Sequence, residues 1–256
     1  MSEAESAEEP AAFLPARVSA ALDRFARFVF PAACWTCANG RSRPGEGGIC
    51  RSCWNALPLA AGTRCSRCDL PIVAPGAADL ASPVCGRCLA NPPSYDTLRC
   101  PAVYAGTASA ALKAFKYGGV EYIAPRLAAW MAPLAADLSA DTVVVPVPAT
   151  PRERRDRGFF PAGILAREVA RSLHRKTRPA LRKVRETERQ AGLPLSARAA
   201  NVRGAFQARE RAARVLLVDD VATSGATLSA CARALKRAGA ERVDALAFAR
   251  ALPERP

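Results

Sequence analysis

Val215-Leu-Leu-Val-Asp-Asp-Val-Ala-Thr-Ser-Gly-Ala-Thr227 is the stretch whose reading decides the fold. Four apolar residues with valine at both ends suit a strand buried on both faces of a parallel sheet. The strand runs into adjacent carboxylates, Asp219 and Asp220, then a loop of small and hydroxylated residues, then a helix-like run from near Ala226. Small side chains at Thr223, Ser224, Gly225 and Thr227 leave backbone N–H groups uncrowded, and a helix start adds unsatisfied N–H groups and the positive end of its dipole. A phosphate fits there, and two carboxylates one step upstream suit vicinal ribose hydroxyls. An acidic strand end followed by an ordinary helix cap is the plainer alternative for the Asp-Asp pair alone.

Outward from this stretch the chain alternates strand-like and helix-like segments. The pattern predicts strands at 100–105, 142–147, 214–219 and 242–249. Helices are predicted at 107–117, 161–175 and 225–238, the last ended by Gly239, with a helical run at 121–138 interrupted by Pro125 and Pro133. Such alternation argues an α/β fold with a mainly parallel sheet, in which ligands bind beyond the carboxyl ends of strands. The loop after Val147 is a second such end, and it carries Arg152, Arg154, Arg155 and Arg157. Guanidinium groups bond two phosphate oxygens at once, so a pyrophosphate could sit between this loop and the one after Asp220. A solvated basic turn is the alternative. Lys113 and Lys116 near a helix end could add charge, as could surface lysines of no special role. The polar stretch from Arg185 to Phe206 could form a flap over a ligand.

The 256 residues carry a formal charge of +14, and between Pro151 and Arg214 eighteen Lys/Arg face six Asp/Glu. That excess suits anionic partners, although arginine used as a generic surface residue would give the same count. No apolar run is long enough to cross a bilayer, so stable membrane insertion is not expected. The first fifteen residues carry four glutamates, no basic residue and no apolar core of a signal peptide, which predicts a disordered acidic tail over 1–15 and a cytoplasmic protein. Residues 16–31 read as a short amphipathic helix that packs on its own domain or touches a membrane.

Eight of the ten cysteines form four Cys-x-x-Cys pairs: Cys34/Cys37, Cys50/Cys53, Cys65/Cys68 and Cys85/Cys88. Without an export signal, metal binding in a reducing compartment is a better reading than disulfides. Two such turns supply the four tetrahedral thiolates of a structural zinc. Sequential pairing gives one site from Cys34, Cys37, Cys50 and Cys53 and another from Cys65, Cys68, Cys85 and Cys88; interleaved pairing stays open. The surrounding glycines and prolines leave little core, so metal must do what packing cannot. Cys100 and Cys231 stand outside the pattern as expected core thiols, and the single histidine, His174, late in its predicted helix, reads as a surface residue.

The Val215–Thr227 string resembles the 5-phosphoribosyl-1-pyrophosphate (PRPP) signature of type I phosphoribosyltransferases. The resemblance implies ribose contacts from Asp219 and Asp220 and phosphate contacts from Ala222, Thr223, Ser224, Gly225, Ala226 and Thr227, many through backbone. From about Pro31 onward the order of motifs is similar to the ComF family: four knuckles, Phe-Lys-Tyr-Gly, Val-Pro-Val-Pro, Arg-Gly-Phe, Thr187 to Gln190, Arg198 to Asn201, and the Asp-Asp string. The chain departs from that pattern where Phe160-Pro161 replaces an Asn-Gln pair, which puts any contact of those amides in doubt. After the tail at 1–15, the helix joins a small double zinc ribbon over 16–98, and the resemblance implies a type I phosphoribosyltransferase-like domain over 99–256. It implies two structural Zn²⁺ and PRPP with Mg²⁺. It points to natural competence, with single-stranded DNA and a DNA-uptake helicase as candidate partners. The competing expectation is an active transferase passing ribose 5-phosphate from PRPP to an acceptor; no motif names that acceptor. A third makes the ribbons a protein-docking module.

Overall fold

The computed structural model describes residues 33–253 apart from 38, 44, 45, 74, 75, 119, 188–196, 198 and 199, with the side chains of 79, 156 and 157 also outside the description. The expected tail and amphipathic helix lie outside these residues, as do 188–190 and 198–199 of the polar motifs.

The ribbon region has little regular structure: helix α1 (Arg51–Asn55), helix α2 (Gly86–Ala90) and a 3-10 turn at Ala77–Asp79. Two short strands follow, β1 (Leu98–Arg99) and β2 (Ala102–Val103), where one strand over 100–105 was expected. Pro101, which has no N–H to offer a ladder, sits in the break and gives its carbonyl to Ala60 N–H at 2.9 Å. Helix α3 (Gly106–Tyr117) leads to α4 (Ala124–Met131), flanked by 3-10 turns at Glu121–Ile123 and Ala132–Ala135. Pro125 therefore starts α4 rather than interrupting it, at the one place where a missing N–H is harmless.

Strand β3 (Val143–Pro146) is followed by helix α5 (Pro151–Arg157), which corrects the turn or loop expected there. Thr150 and Glu153 close a capping box on it, and Pro151 fills its first turn. Helix α6 (Pro161–Ser172) ends three residues before the expected 175, because His174 turns left-handed (φ 52°) and Arg175 N–H bonds back to Ala170 O at 2.8 Å. His174 is exposed, as expected. An unforeseen antiparallel pair, β4 (Leu181–Lys183) and β5 (Phe206–Ala208), precedes β6 (Arg214–Ala222), α7 (Ala226–Arg237) and β7 (Arg242–Arg250).

The main sheet is parallel in the order β1-β7-β6-β3, and β2 continues β1 along β7. Thr177 adds one parallel bridge on the outer side of β3. Helices α3, α4 and α6 bury Phe115, Leu127 and Leu165 on one face, against Val144, Leu216 and Phe248. Helix α7 buries Leu228, Cys231 and Leu235 on the other, against Leu217 and Ala247. The strands β3 and β6 are thus neighbours whose following helices cover opposite faces, which opens a crevice between their carboxyl ends. Cys100 and Cys231 are core thiols, and burial pushes both well above the ordinary thiol range. Among the described residues no helix is long and apolar enough to cross a membrane.

Candidate functional site

The knuckles come together in sequential fours. The thiol sulfurs of Cys34, Cys37, Cys50 and Cys53 lie within 4.8 Å of one another, and so do those of Cys65, Cys68, Cys85 and Cys88. Sulfur pairs measured at 3.9 Å (Cys34–Cys53, Cys37–Cys50) and 3.6 Å (Cys68–Cys85) match the edge of a zinc tetrathiolate, about 3.8 Å for Zn–S bonds of about 2.3 Å. Backbone N–H groups already point at these sulfurs, from Thr36 and Cys50 to Cys34, from Gly40 to Cys37 and from Cys85 to Cys65. Burial pushes Cys34 up, yet the N–H donors of Cys50, Cys37 and Thr36 outweigh it and leave this thiol at about 6. Cys65 falls to about 7 by the same balance, with Cys85, Cys68 and Arg67 donating. A Cβ on Gly40 would stand 2.6 Å from Cys50 Sγ, so only glycine lets the chain pass there. Both fours fit a structural zinc, with no ligand position left for water.

At the sheet, β6 continues through Ala222 because Val221 and Ala222 still pair with Ala249 and Arg250 of β7. The acid pair thus lies inside the strand rather than at its end. As strand neighbours the two side chains take opposite faces. Asp220, buried, meets Lys116 Nζ of α3 at 2.8 Å. Asp219, half-buried, accepts the Asp220 N–H at 2.9 Å and presses its charge on Cys231 of α7. Burial alone would lower the Lys116 ammonium; Asp220, with Asp219 behind it, raises it instead. Lys113, three residues earlier on α3, is exposed and is not brought to the acids.

The loop after the strand holds Thr223 and Ser224 half-buried and Gly225 buried at φ 79°. Ser224 Oγ accepts the N–H of Ala226 at 3.2 Å, which orders the turn into α7. Across the crevice, α5 presents Arg152 and Arg155 to solvent, Arg152 lying 3.5 Å from Glu186. Arg154 lies over the Phe160 ring at 4.1 Å, and a Cβ on Gly163 would clash with that ring at 2.2 Å. The phenyl group in place of an amide therefore backs one of the arginines. Arg157 closes α5. Glu153 joins this helix to β4 through Lys183 at 2.7 Å; burial raises its carboxyl, but Lys183 and the Thr150 N–H hold it below the ordinary range.

Several residues here carried no sequence signal. Arg250, 1% exposed at the end of β7, donates Nε to Cys68 O at 2.9 Å and Nη1 to Ala222 O at 2.7 Å, to Thr223 O and to Ala251 O. Arg87, on the knuckle helix α2, donates to Ser224 O at 3.1 Å. Tyr95, 2% exposed, places its hydroxyl 2.8 Å from where a Gly225 Cβ would be. Each joins groups more than a hundred residues apart except the Arg250 bonds to Ala222, Thr223 and Ala251. The Thr150-Pro-Arg-Glu153 capping box, by contrast, was readable in the sequence.

Comparison with known proteins agrees with this architecture. A family model described as a double zinc ribbon domain matches residues 25–102, and one described as a phosphoribosyl transferase domain matches 125–255. The DNA utilization protein YhgH of Escherichia coli (strain K12) is 30% identical over 231 residues, covering 87% of this chain and 98% of that protein. YhgH of Salmonella typhimurium (strain LT2) is 29% identical over the same coverage. Competence protein F of Haemophilus influenzae (strain Rd) is 28% identical over 221 residues, 79% of this chain and 96% of that protein.

Proposed function

The chain belongs to the ComF family, and from that premise we propose that it binds PRPP with Mg²⁺ in the crevice between β3 and β6 and acts, in the cytoplasm, in DNA utilization or competence by handling single-stranded DNA. The observation that carries the ligand is one of placement. A loop of hydroxyls and backbone N–H groups follows an acid pair on β6, and an arginine-bearing helix follows the neighbouring β3. In this reading Asp219 and Asp220 take the ribose hydroxyls, and the backbone and side chains from Ala222 to Thr227 take the 5-phosphate. Arg152, Arg154, Arg155 and Lys116 face the pyrophosphate, and the expected contact from Arg157 comes from the same helix. A Mg²⁺ arriving with the ligand would neutralise part of its charge.

The DNA half is supported by the relatives' names and by a groove of about 610 Å³ between β5 and α7. Arg203, Arg233 and Arg237 line it, with Phe206 beside them. Cations with an adjacent ring are what a single strand meets, phosphate on charge and base on aromatic. Transfer chemistry is a second reading, favoured by the transferase domain match over 125–255. It needs charge stabilisation on a leaving pyrophosphate more than a nucleophilic side chain.

Calorimetric titration of PRPP with Mg²⁺ tests the ligand. Asp219→Asn/Asp220→Asn should weaken binding at least tenfold, and unchanged affinity would sink the assignment. Binding of single-stranded DNA across a salt series, with Arg203→Ala/Arg233→Ala/Arg237→Ala, tests the second half: affinity should fall steeply with salt and the slope should shrink in the variant. Pyrophosphate release with candidate acceptors decides between a binder and an enzyme.

A further inference from the structure

We propose that Arg250 is the positioning residue of the phosphate loop and that the second zinc centre, through Arg250 and Arg87, is part of the machinery that grips the 5-phosphate. The inference rests on the reading of this loop as the phosphate site. Three successive carbonyls of the loop are drawn toward arginines: those of Ala222 and Thr223 by Arg250, that of Ser224 by Arg87. In a planar trans peptide the N–H of the next residue points opposite to the carbonyl. Fixing these carbonyls therefore turns the N–H groups of Thr223, Ser224 and Gly225 to the other side of the loop, in series. Successive N–H groups turned one way form an anion-binding concavity.

Both arginines belong to the second ribbon's surroundings. Arg87 lies between the ligands Cys85 and Cys88, and Arg250 Nε bonds to the carbonyl of the ligand Cys68. Arg250 is buried with backbone carbonyls as its partners, and no described carboxylate pairs with it. A buried cation without a counter-charge is costly. Four thiolates around Zn²⁺ carry a net charge of two minus, which supplies the missing balance beside Cys68. Tyr95 closes the loop from the ribbon side, against Gly225 at φ 79°. Metal centre, arginine and loop thus form one continuous contact, and any ligand of the loop is energetically linked to the metal.

Linkage is reciprocal, so PRPP should in turn hold the zinc. The test uses the full chain with both zincs bound. Zinc release to a chelating dye is followed with and without PRPP·Mg²⁺, and PRPP affinity is measured for wild type, Arg87→Ala and Arg250→Lys. One of the two zincs should leave several-fold more slowly when PRPP is bound. Arg87→Ala, an exposed change, should bind PRPP several-fold more weakly while keeping two zincs and its melting temperature. Arg250→Lys should lose at least tenfold and abolish the protection of zinc. Equal PRPP affinity in both variants at two zincs per chain, or zinc release indifferent to PRPP in a wild type that binds it, overturns the inference. A wild type that does not bind PRPP overturns the reading of the site itself, and this inference with it. Should Arg250→Lys fail to fold, Arg87→Ala and the zinc protection of wild type decide.

Discussion

The first ribbon sinks Ile49, Trp54 and Leu57 into the same core as α3, α4 and α6, whereas the second keeps a small cluster of its own around Leu70 and reaches the sheet through Arg250 and Arg87. In the first, Gly47 passes 3.1 Å from the backbone of Ile123 at the Cβ position, and Trp35 Nε1 bonds to Tyr122 Oη at 3.1 Å. In the second, Arg67 O takes the Leu98 N–H of β1 at 2.8 Å, and the arginine contacts run to loop carbonyls beside the acid pair. Two knuckle pairs of one spacing pattern therefore divide their work: one is built into the stability of the whole molecule, the other into the shape of its ligand loop.

Breaking each ribbon in turn exposes that division. Cys53→Ser should abolish cooperative folding, since zinc in such ribbons is worth about 10–16 kcal/mol and whole domains hold about 5–15 kcal/mol. Circular dichroism on heating would read it, and a cooperative melt of the variant at one zinc would contradict a shared core. Cys88→Ser should retain a cooperative melt with one zinc and bind PRPP at least tenfold more weakly; loss of all folding would erase the distinction between the ribbons. On a smaller scale, Trp54→Ala should destabilise by about 3–5 kcal/mol. Trp54 is 2% exposed, bonds Nε1 to Glu46 O at 2.7 Å and lies under Arg126. Leu70→Ala in the smaller cluster should cost less, and denaturant titration compares the two.

The smallest effect concerns acid. Burial pushes the Asp96 carboxyl up, but Lys236 and the Val243 N–H hold it below the ordinary range, tying the segment after the second ribbon to α7 and β7. A folded value below the unfolded one means that this stabilisation is complete above the ordinary carboxylate range and is lost as pH falls through the folded value. Melts from about pH 7 to about pH 3 should show Asp96→Asn with a shallower acid decline than wild type.

The strand, acid pair, loop and helix were legible in sequence because their order is local, and the ligand fours because knuckle spacing is short. Helix α5 was missed, a loop being expected there, although Thr150, Pro151 and Glu153 spell a capped start. What was not legible joins distant parts of the chain. Arg250 reads as one more arginine near an end, since Cys68 stands 182 residues away. Lys116 and Lys113 look alike in sequence, and only the turn of α3 gives Asp220 to one of them. Nor could any pattern show that the first ribbon shares its core with helices α3, α4 and α6.

Strand β7 lies between β6 and the short β1 and β2, pairing Leu98 with Ala245 and Ala102 with Ala249. During synthesis β1 and β2 therefore lack their parallel partner until β7 emerges, with Leu59 bridging Ala102 from the other side. The ribbons and the β3–β6 half can organise while the ribosome is still adding residues, but the sheet can close only once β7 has been made. A nascent chain cut before β7 would expose two bare strand edges, so truncation ahead of this strand costs more here than in a protein whose sheet grows in order of translation.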